Sequence, residues 1–105
     1  MNHTTMTFFE RFEADILSAK KTLTIRDEAE KHYLPDSIVQ VSTYEDNRWF
    51  CSLKIKSVQA ILFNDLSEKH AQQENMSLLE LKRVIQEIYP GIKELYVIYY
   101  ELLKD

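Results

Sequence analysis

The sequence predicts an α+β domain: a small, curved, barrel-like and mostly antiparallel β-sheet with about three helices packed at its ends. Three observations carry this reading. Apolar residues change period along the chain, from helical spacing to strict alternation and back. The predicted strands follow one another through short turns, which favours antiparallel pairing. A curved sheet also removes the exposed edges that so short a chain cannot otherwise cover. Residues 1–105 make a single domain, because ordinary domains run from about 50 to 250 residues. A chain of this length buries roughly 65% of its unfolded surface, enough for a core without disulfide or metal staples. Residues 1–6 are expected to form a loosely ordered tail.

Thr7 and Glu10 have capping-box spacing. Phe8, Phe9, Phe12, Ile16 and Leu17 then recur at helical intervals, so residues 8–18 are expected to be an amphipathic helix. Residues 22–26 alternate and are rich in β-branched side chains, the pattern of a strand. The polar segment 27–36 ends in the turn signal Pro35-Asp36. A second strand is expected over 38–44, with a turn at Glu45-Asp46-Asn47. From Trp49 the pattern is again period two, with Trp49, Cys51, Leu53 and Ile55 on one face. The strand continues over 58–63 after a bulge near Ser57. Asp65 with Glu68 marks a short helix over 66–73. Ser77 with Glu80 starts another, whose face is Leu81, Val84, Ile85 and Ile88. Pro90-Gly91 ends it, and residues 95–102 form the closing strand.

Composition excludes several classes of function. Hydrophobic residues are 45% and charged residues 29% of the chain, as in an ordinary globular domain. The net charge of −4 is the wrong sign for a general duplex-binding protein. No stretch approaches the ~20 apolar residues of a membrane span. The single Gly91 excludes every glycine-rich phosphate loop. A single cysteine, Cys51, and an N-terminal segment without the features of a signal peptide lead to the expectation of a reducing, cytoplasmic setting. Cys51 shares an apolar face with Leu53 and reads as a buried, inert thiol. His70 and Glu74 are four residues apart, but His3 and His32 lie in distant polar segments. His70 is therefore read as a capping or hydrogen-bonding residue, with no metal site expected. Trp49, Phe50, Tyr96, Tyr99 and Tyr100 are candidates to stack on a planar ligand. The faces Phe8/Phe12/Ile16 and Leu81/Ile85/Ile88 read as core.

On their own, Lys21 and Thr24 read as a solvated lysine and a strand threonine. The stretch Lys21-Thr22-Leu23-Thr24-Ile25-Arg26 resembles the signature of ASCH domains, small PUA-like β-barrel proteins. Thr7-Phe8-Phe9-Glu10-Arg11-Phe12, Glu68-Lys69-His70-Ala71, Gln73-Glu74-Asn75-Met76 and Ile88-Tyr89-Pro90-Gly91 extend the resemblance over nearly the whole chain. They are similar to the small bacterial members that deacetylate N(4)-acetylcytidine. The resemblance implies a hydrolase acting on a linear amide, with Lys21 as base, Thr24 as nucleophile and Glu74 as proton donor. It implies a small modified nucleoside, N(4)-acetylcytidine or a related N(4)-acylated cytosine compound, as substrate, with no cofactor. The family often has glycine where this chain has Ala19, so a positive φ there would carry a cost.

The chemistry fits those residue types. Amide cleavage needs a nucleophile, a base for its proton and an acid for the leaving nitrogen. Lysine serves as base only when desolvation or a neighbouring cation lowers its pKa. Arg26 could bind substrate or the developing oxyanion, or could form a surface ion pair with Asp27 or Glu28. Strand parity puts Thr22, Thr24 and Arg26 on one face, and Lys21 on the other. Lys21 must then sit in the turn before the strand, with its side chain folded back. Two mechanisms stay open at this level: an acetyl-threonine intermediate, or water activated directly by Lys21 or Glu74. The competing class is a non-catalytic module that binds RNA or a modified nucleotide, using Lys20, Lys21 and Arg26 as a basic cluster. A monomer without membrane association is expected.

Overall fold

A computed structural model describes residues 4–103 and contains one five-stranded sheet. Its strands are β1 (Thr5–Phe8), β2 (Leu23–Arg26), β3 (Ile38–Thr43), β4 (Trp49–Leu62) and β5 (Glu94–Leu102). Their spatial order is β1-β3-β4-β5-β2. Three pairings are antiparallel, and β1 runs parallel to β3. The sheet is thus mixed and open. The helices are α1 (Glu13–Leu17), α2 (Glu68–Gln73) and α3 (Leu78–Ile88). Short 3-10 turns occupy Glu10–Phe12, Glu28–Glu30 and Phe63–Asp65.

The long strand β4 organises the sheet. Its first half pairs with β3, and β5 follows it from Leu53 to Leu62. The register shifts between Ile55 and Ser57, where the sequence predicts a bulge. A bulge bends its strand and raises the local twist, which lets one strand serve two neighbours in a curved sheet. The core lies on both sides of β5. Leu95 and Val97 pack with Leu23, Ile25, Leu81 and Ile85, whereas Ile98 and Tyr100 pack with Phe8, Val41, Leu53 and Ile55.

The beginning of the chain differs from the helical reading of 8–18. Thr5–Phe8 is a strand, the α-helix begins only at Glu13, and Thr7 is not a cap. Residues 5 and 6 therefore do not belong to a loose tail, and Met6 is buried; residues 1–3 lie outside the described residues. Phe8 satisfies a helical periodicity but gains more by entering the core beside β3, a contact that local spacing cannot reveal. The start of α2 also moves, from Asp65 to Ser67. His70 takes the usual place of an acidic capping-box residue, its Nδ1 accepting from the Ser67 amide at 3.1 Å. Ser77 caps α3 as expected, its hydroxyl accepting from the Glu80 amide.

β1 and β2 are the two edges of the sheet, and no ladder joins them. Side chains cross the gap instead. Arg26 on β2 donates from Nη2 to the Thr7 carbonyl on β1 at 2.7 Å. Tyr33 donates its hydroxyl to the Thr5 carbonyl at 2.6 Å.

α1 ends in a tight left-handed turn at Ala19, whose φ is 62°. The amides of Lys20 and Lys21 then return to the Asp15 carbonyl at 2.9 and 3.1 Å. An L-residue in this conformation costs about 1 kcal/mol relative to glycine. Ala19→Gly is expected to raise stability by up to about 1 kcal/mol, read as a higher urea midpoint at unchanged slope. An unchanged or lower midpoint would show that the turn accommodates the Cβ without strain.

Candidate active site

Lys21, Thr24 and Glu74 come from three places: the α1–β2 turn, β2 itself and the C-terminal end of α2. They meet in one cavity of about 220 Å3 that opens along the gap between β1 and β2. Their exposures are only 3%, 4% and 6%. Buried polar groups of this kind carry a desolvation cost and need partners.

Lys21 lies just before β2, and its side chain folds back as strand parity requires. Its Nζ donates to the Leu23 carbonyl at 2.9 Å and is paired with Glu74 Oε1. The amine also lies 5.1 Å from the centre of the Phe12 ring and 5.5 Å from that of Phe8. Its backbone is fixed on both sides: the amide donates to Asp15, and the carbonyl accepts from the Tyr100 hydroxyl at 3.0 Å. Burial pushes the Lys21 ammonium well below the usual lysine pKa. The Arg26 guanidinium pushes it the same way, and Asp15 opposes them.

Glu74 is the C-cap residue of α2. Two contacts tie this helix end to the Lys21 turn. Thr22 donates its amide to the Gln73 carbonyl at 2.8 Å, and Asn75 donates from Nδ2 to Asp15 Oδ1 at 3.3 Å. Asn75 takes the left-handed conformation, φ 58°, that turns the chain into α3.

Lys21 and Glu74 form a buried pair with no net charge. An ammonium facing a carboxylate and an amine facing a carboxylic acid differ only in the position of one proton. A dry site favours the second form, because neither partner then bears a desolvated charge. That form holds a free base and a proton donor side by side.

Thr24 sits within β2, on the face opposite Leu23 and Ile25. Its Oγ1 accepts from Arg26 Nε at 2.9 Å. The Arg26 guanidinium also donates from Nη1 to Glu30 at 2.9 Å and lies 4.7 Å from the centre of the Phe8 ring. With the Thr7 contact, three of its five N–H groups are engaged, and two remain for a ligand. Arg26 therefore pairs with Glu30, not with Asp27 or Glu28, and touches the threonine directly.

The structure corrects several other expectations. Lys20 is exposed while Lys21 is buried, so they do not form a common basic surface with Arg26. Trp49, Phe50 and Tyr96 do not line the cavity, and Tyr99 and Tyr100 border a separate groove. The aromatic walls are Phe8, Phe9, Phe12, Tyr44 and Tyr89. The α3 face of Leu81, Val84, Ile85 and Ile88 is cavity wall as well as core. The density of phenylalanine just before the Lys21 turn was the available signal. Burial pushes the Cys51 thiol up to about 11, in keeping with an inert cysteine. Among the described residues, no three His, Cys, Asp or Glu side chains are grouped to hold a metal. No described helix is long and apolar enough to cross a membrane.

The family model of the ASCH domain matches residues 4–101. The chain belongs to the ASCH-domain family. A relative from Vibrio atlanticus (strain LGP32), named N(4)-acetylcytidine amidohydrolase, is 69% identical over 95% of this chain and 96% of its own. A relative of the same name from Shewanella sp. (strain MR-4) is 56% identical, over 96% and 98% of the two chains. Among solved structures, the ASCH domain from Lactobacillus crispatus JV V101 superposes with a TM-score of 0.76. It covers 94% of this chain and 79% of that one at 16% identity, a likeness of fold.

Proposed function

We propose that this ASCH protein hydrolyses N(4)-acetylcytidine to cytidine and acetate, with Thr24 as nucleophile, Lys21 as base and Glu74 as proton donor. The buried Lys21–Glu74 pair, opening with Thr24 onto one cavity, carries this reading. The name shared by relatives at 56% and 69% identity supports the choice of substrate.

The reaction starts from neutral Lys21 and protonated Glu74. Lys21 Nζ takes the hydroxyl proton of Thr24 as Oγ1 bonds to the acetyl carbonyl carbon. The two unengaged Arg26 N–H groups offer donors to the oxyanion. Glu74 gives its proton to the exocyclic nitrogen, the C–N bond breaks and cytidine departs. The pair is left as ammonium and carboxylate, and one proton moving from Lys21 to Glu74 resets it. Water then attacks the acetyl-threonine, losing a proton to Lys21. That proton returns to Thr24 Oγ1 as acetic acid leaves. The pair holds one proton at the start and end of each half-reaction, so no cofactor enters the balance. The enzyme acts as a monomer on a small nucleoside in the cytoplasm.

The test is a chromatographic assay of purified protein with N(4)-acetylcytidine. Cytidine and acetate should appear in equal amounts. After a rapid acid quench, the intact-protein mass should show an added acetyl group that Thr24→Ala cannot acquire. Cytidine release that survives in Thr24→Ala would replace the acetyl-enzyme with directly activated water. Folded wild-type protein that releases no cytidine would leave the chain a binding module for RNA or a modified nucleotide.

A further inference from the structure

The geometry points to a ribose subsite at the mouth of the cavity, one that selects free nucleosides over nucleotides and RNA; it rests on the hydrolase reading above. A cavity of about 220 Å3 is smaller than the 300–1,000 Å3 that house drug-sized ligands. It accommodates an acetylated pyrimidine base, and the sugar must lie outside.

The chemistry of the base then fixes where the sugar goes. In cytosine the exocyclic nitrogen and the ring nitrogen bearing the ribose lie at opposite ends of the ring. With the acetyl carbonyl at Thr24, deep between the strands, the glycosidic bond points away from Lys21 and Glu74. A second hollow, of about 580 Å3, adjoins the inner cavity on its Phe9–Tyr44–Ile88 side, away from Lys21 and Glu74, and offers the sugar a place. It shares Phe9, Tyr44 and Ile88 with the inner cavity, so the two are neighbours across these side chains. Phe9 and Tyr44 meet edge to face, their ring centres 5.2 Å apart, and frame the junction.

Three charged side chains line the outer hollow: Arg11, Glu45 and Glu87. Glu45 is held in place, its Oε1 accepting from the Glu10 amide at 2.9 Å. Arg11 is drawn over the Phe12 and Phe9 rings, at 4.9 and 5.5 Å from their centres. The hollow thus carries two carboxylates and one cation, and the cation is already partnered by aromatic faces. Carboxylates accept hydrogen bonds from sugar hydroxyls and repel phosphate. A free nucleoside satisfies them. A 5′-phosphate, or the flanking phosphates of RNA, brings like charge to the same place.

The experiment compares kcat/KM of the full chain on N(4)-acetylcytidine and on its 5′-monophosphate, at low and high salt. The nucleoside should be preferred by about tenfold or more at low salt, with the preference shrinking as salt screens the carboxylates. In Glu45→Gln/Glu87→Gln the monophosphate should gain at least about threefold relative to the nucleoside. Equal turnover of both compounds by the wild type, or a preference untouched by the double substitution, would overturn the subsite alone. Hydrolysis of neither compound would overturn the reading on which it rests.

Discussion

Lys21→Met should lower kcat/KM on N(4)-acetylcytidine by about 10³-fold, within the range that positioned acid–base groups supply. Methionine keeps the length and apolar stem of lysine but offers no base. It should also abolish the acetyl-enzyme, because the proton on Thr24 then has no acceptor in the site. Wild-type activity should follow a bell-shaped pH profile, since the active pair carries one proton in total. On the acid side a second proton converts the Lys21 amine to ammonium, and the base is lost. Burial and Arg26 both depress the Lys21 pKa, so this limb lies well below the usual lysine range. On the alkaline side the pair loses its proton, and the leaving nitrogen goes unprotonated. A steady-state pH series checks the shape. A rate that climbs monotonically to the ordinary pKa of lysine would show Lys21 titrating alone, without a shared proton.

The second large effect is on stability. Removing one member of this pair leaves a buried amine or carboxylic acid without its hydrogen-bond partner, at a cost of about 1–3 kcal/mol, whereas replacing both with apolar groups is often neutral or stabilising. Lys21→Met and Glu74→Leu should each be destabilised, and the double variant should recover most of the loss. Urea unfolding of all four proteins gives the coupling directly. Additive losses would mean that the two side chains do not depend on each other. The Glu74→Leu deficit should also shrink as pH rises. With its folded pKa below the unfolded one, Lys21 binds its proton in the unfolded chain but not in the folded chain across that window. The free energy of unfolding therefore increases with pH there, up to about 10.4, the value for an unperturbed lysine.

The sequence is a good guide to structure where the information is local. The bulge near Ser57, the cap at Ser77 and the turn placement of Lys21 all follow from spacing of a few residues. It is a poor guide where a segment answers to distant neighbours. Thr5–Phe8 is a strand because β3 is beside it, and its parallel pairing spans some thirty-five residues of chain. The same separation hid the aromatic walls. Phe9, Tyr44 and Tyr89 belong to segments far apart in sequence, and nothing local marks them as neighbours. The candidate chemical groups were legible through their resemblance to a family. The Lys21–Glu74 contact and the grip of Arg26 on Thr24 arise only in the folded chain.

The unjoined edges β1 and β2 bear on how a ligand gets in. A closed barrel could admit a base into its wall only by breaking ladder hydrogen bonds between neighbouring strands. Here, among the described residues, β2 reaches β1 through the bond from Arg26 to Thr7, and Tyr33 adds a second bond to Thr5. The entrance is therefore spanned by side chains alone, and a ligand can pass between the strands while every backbone ladder stays intact. Access then depends on the rotamers of a few side chains and not on strand separation, so the sheet can stay rigid through a turnover.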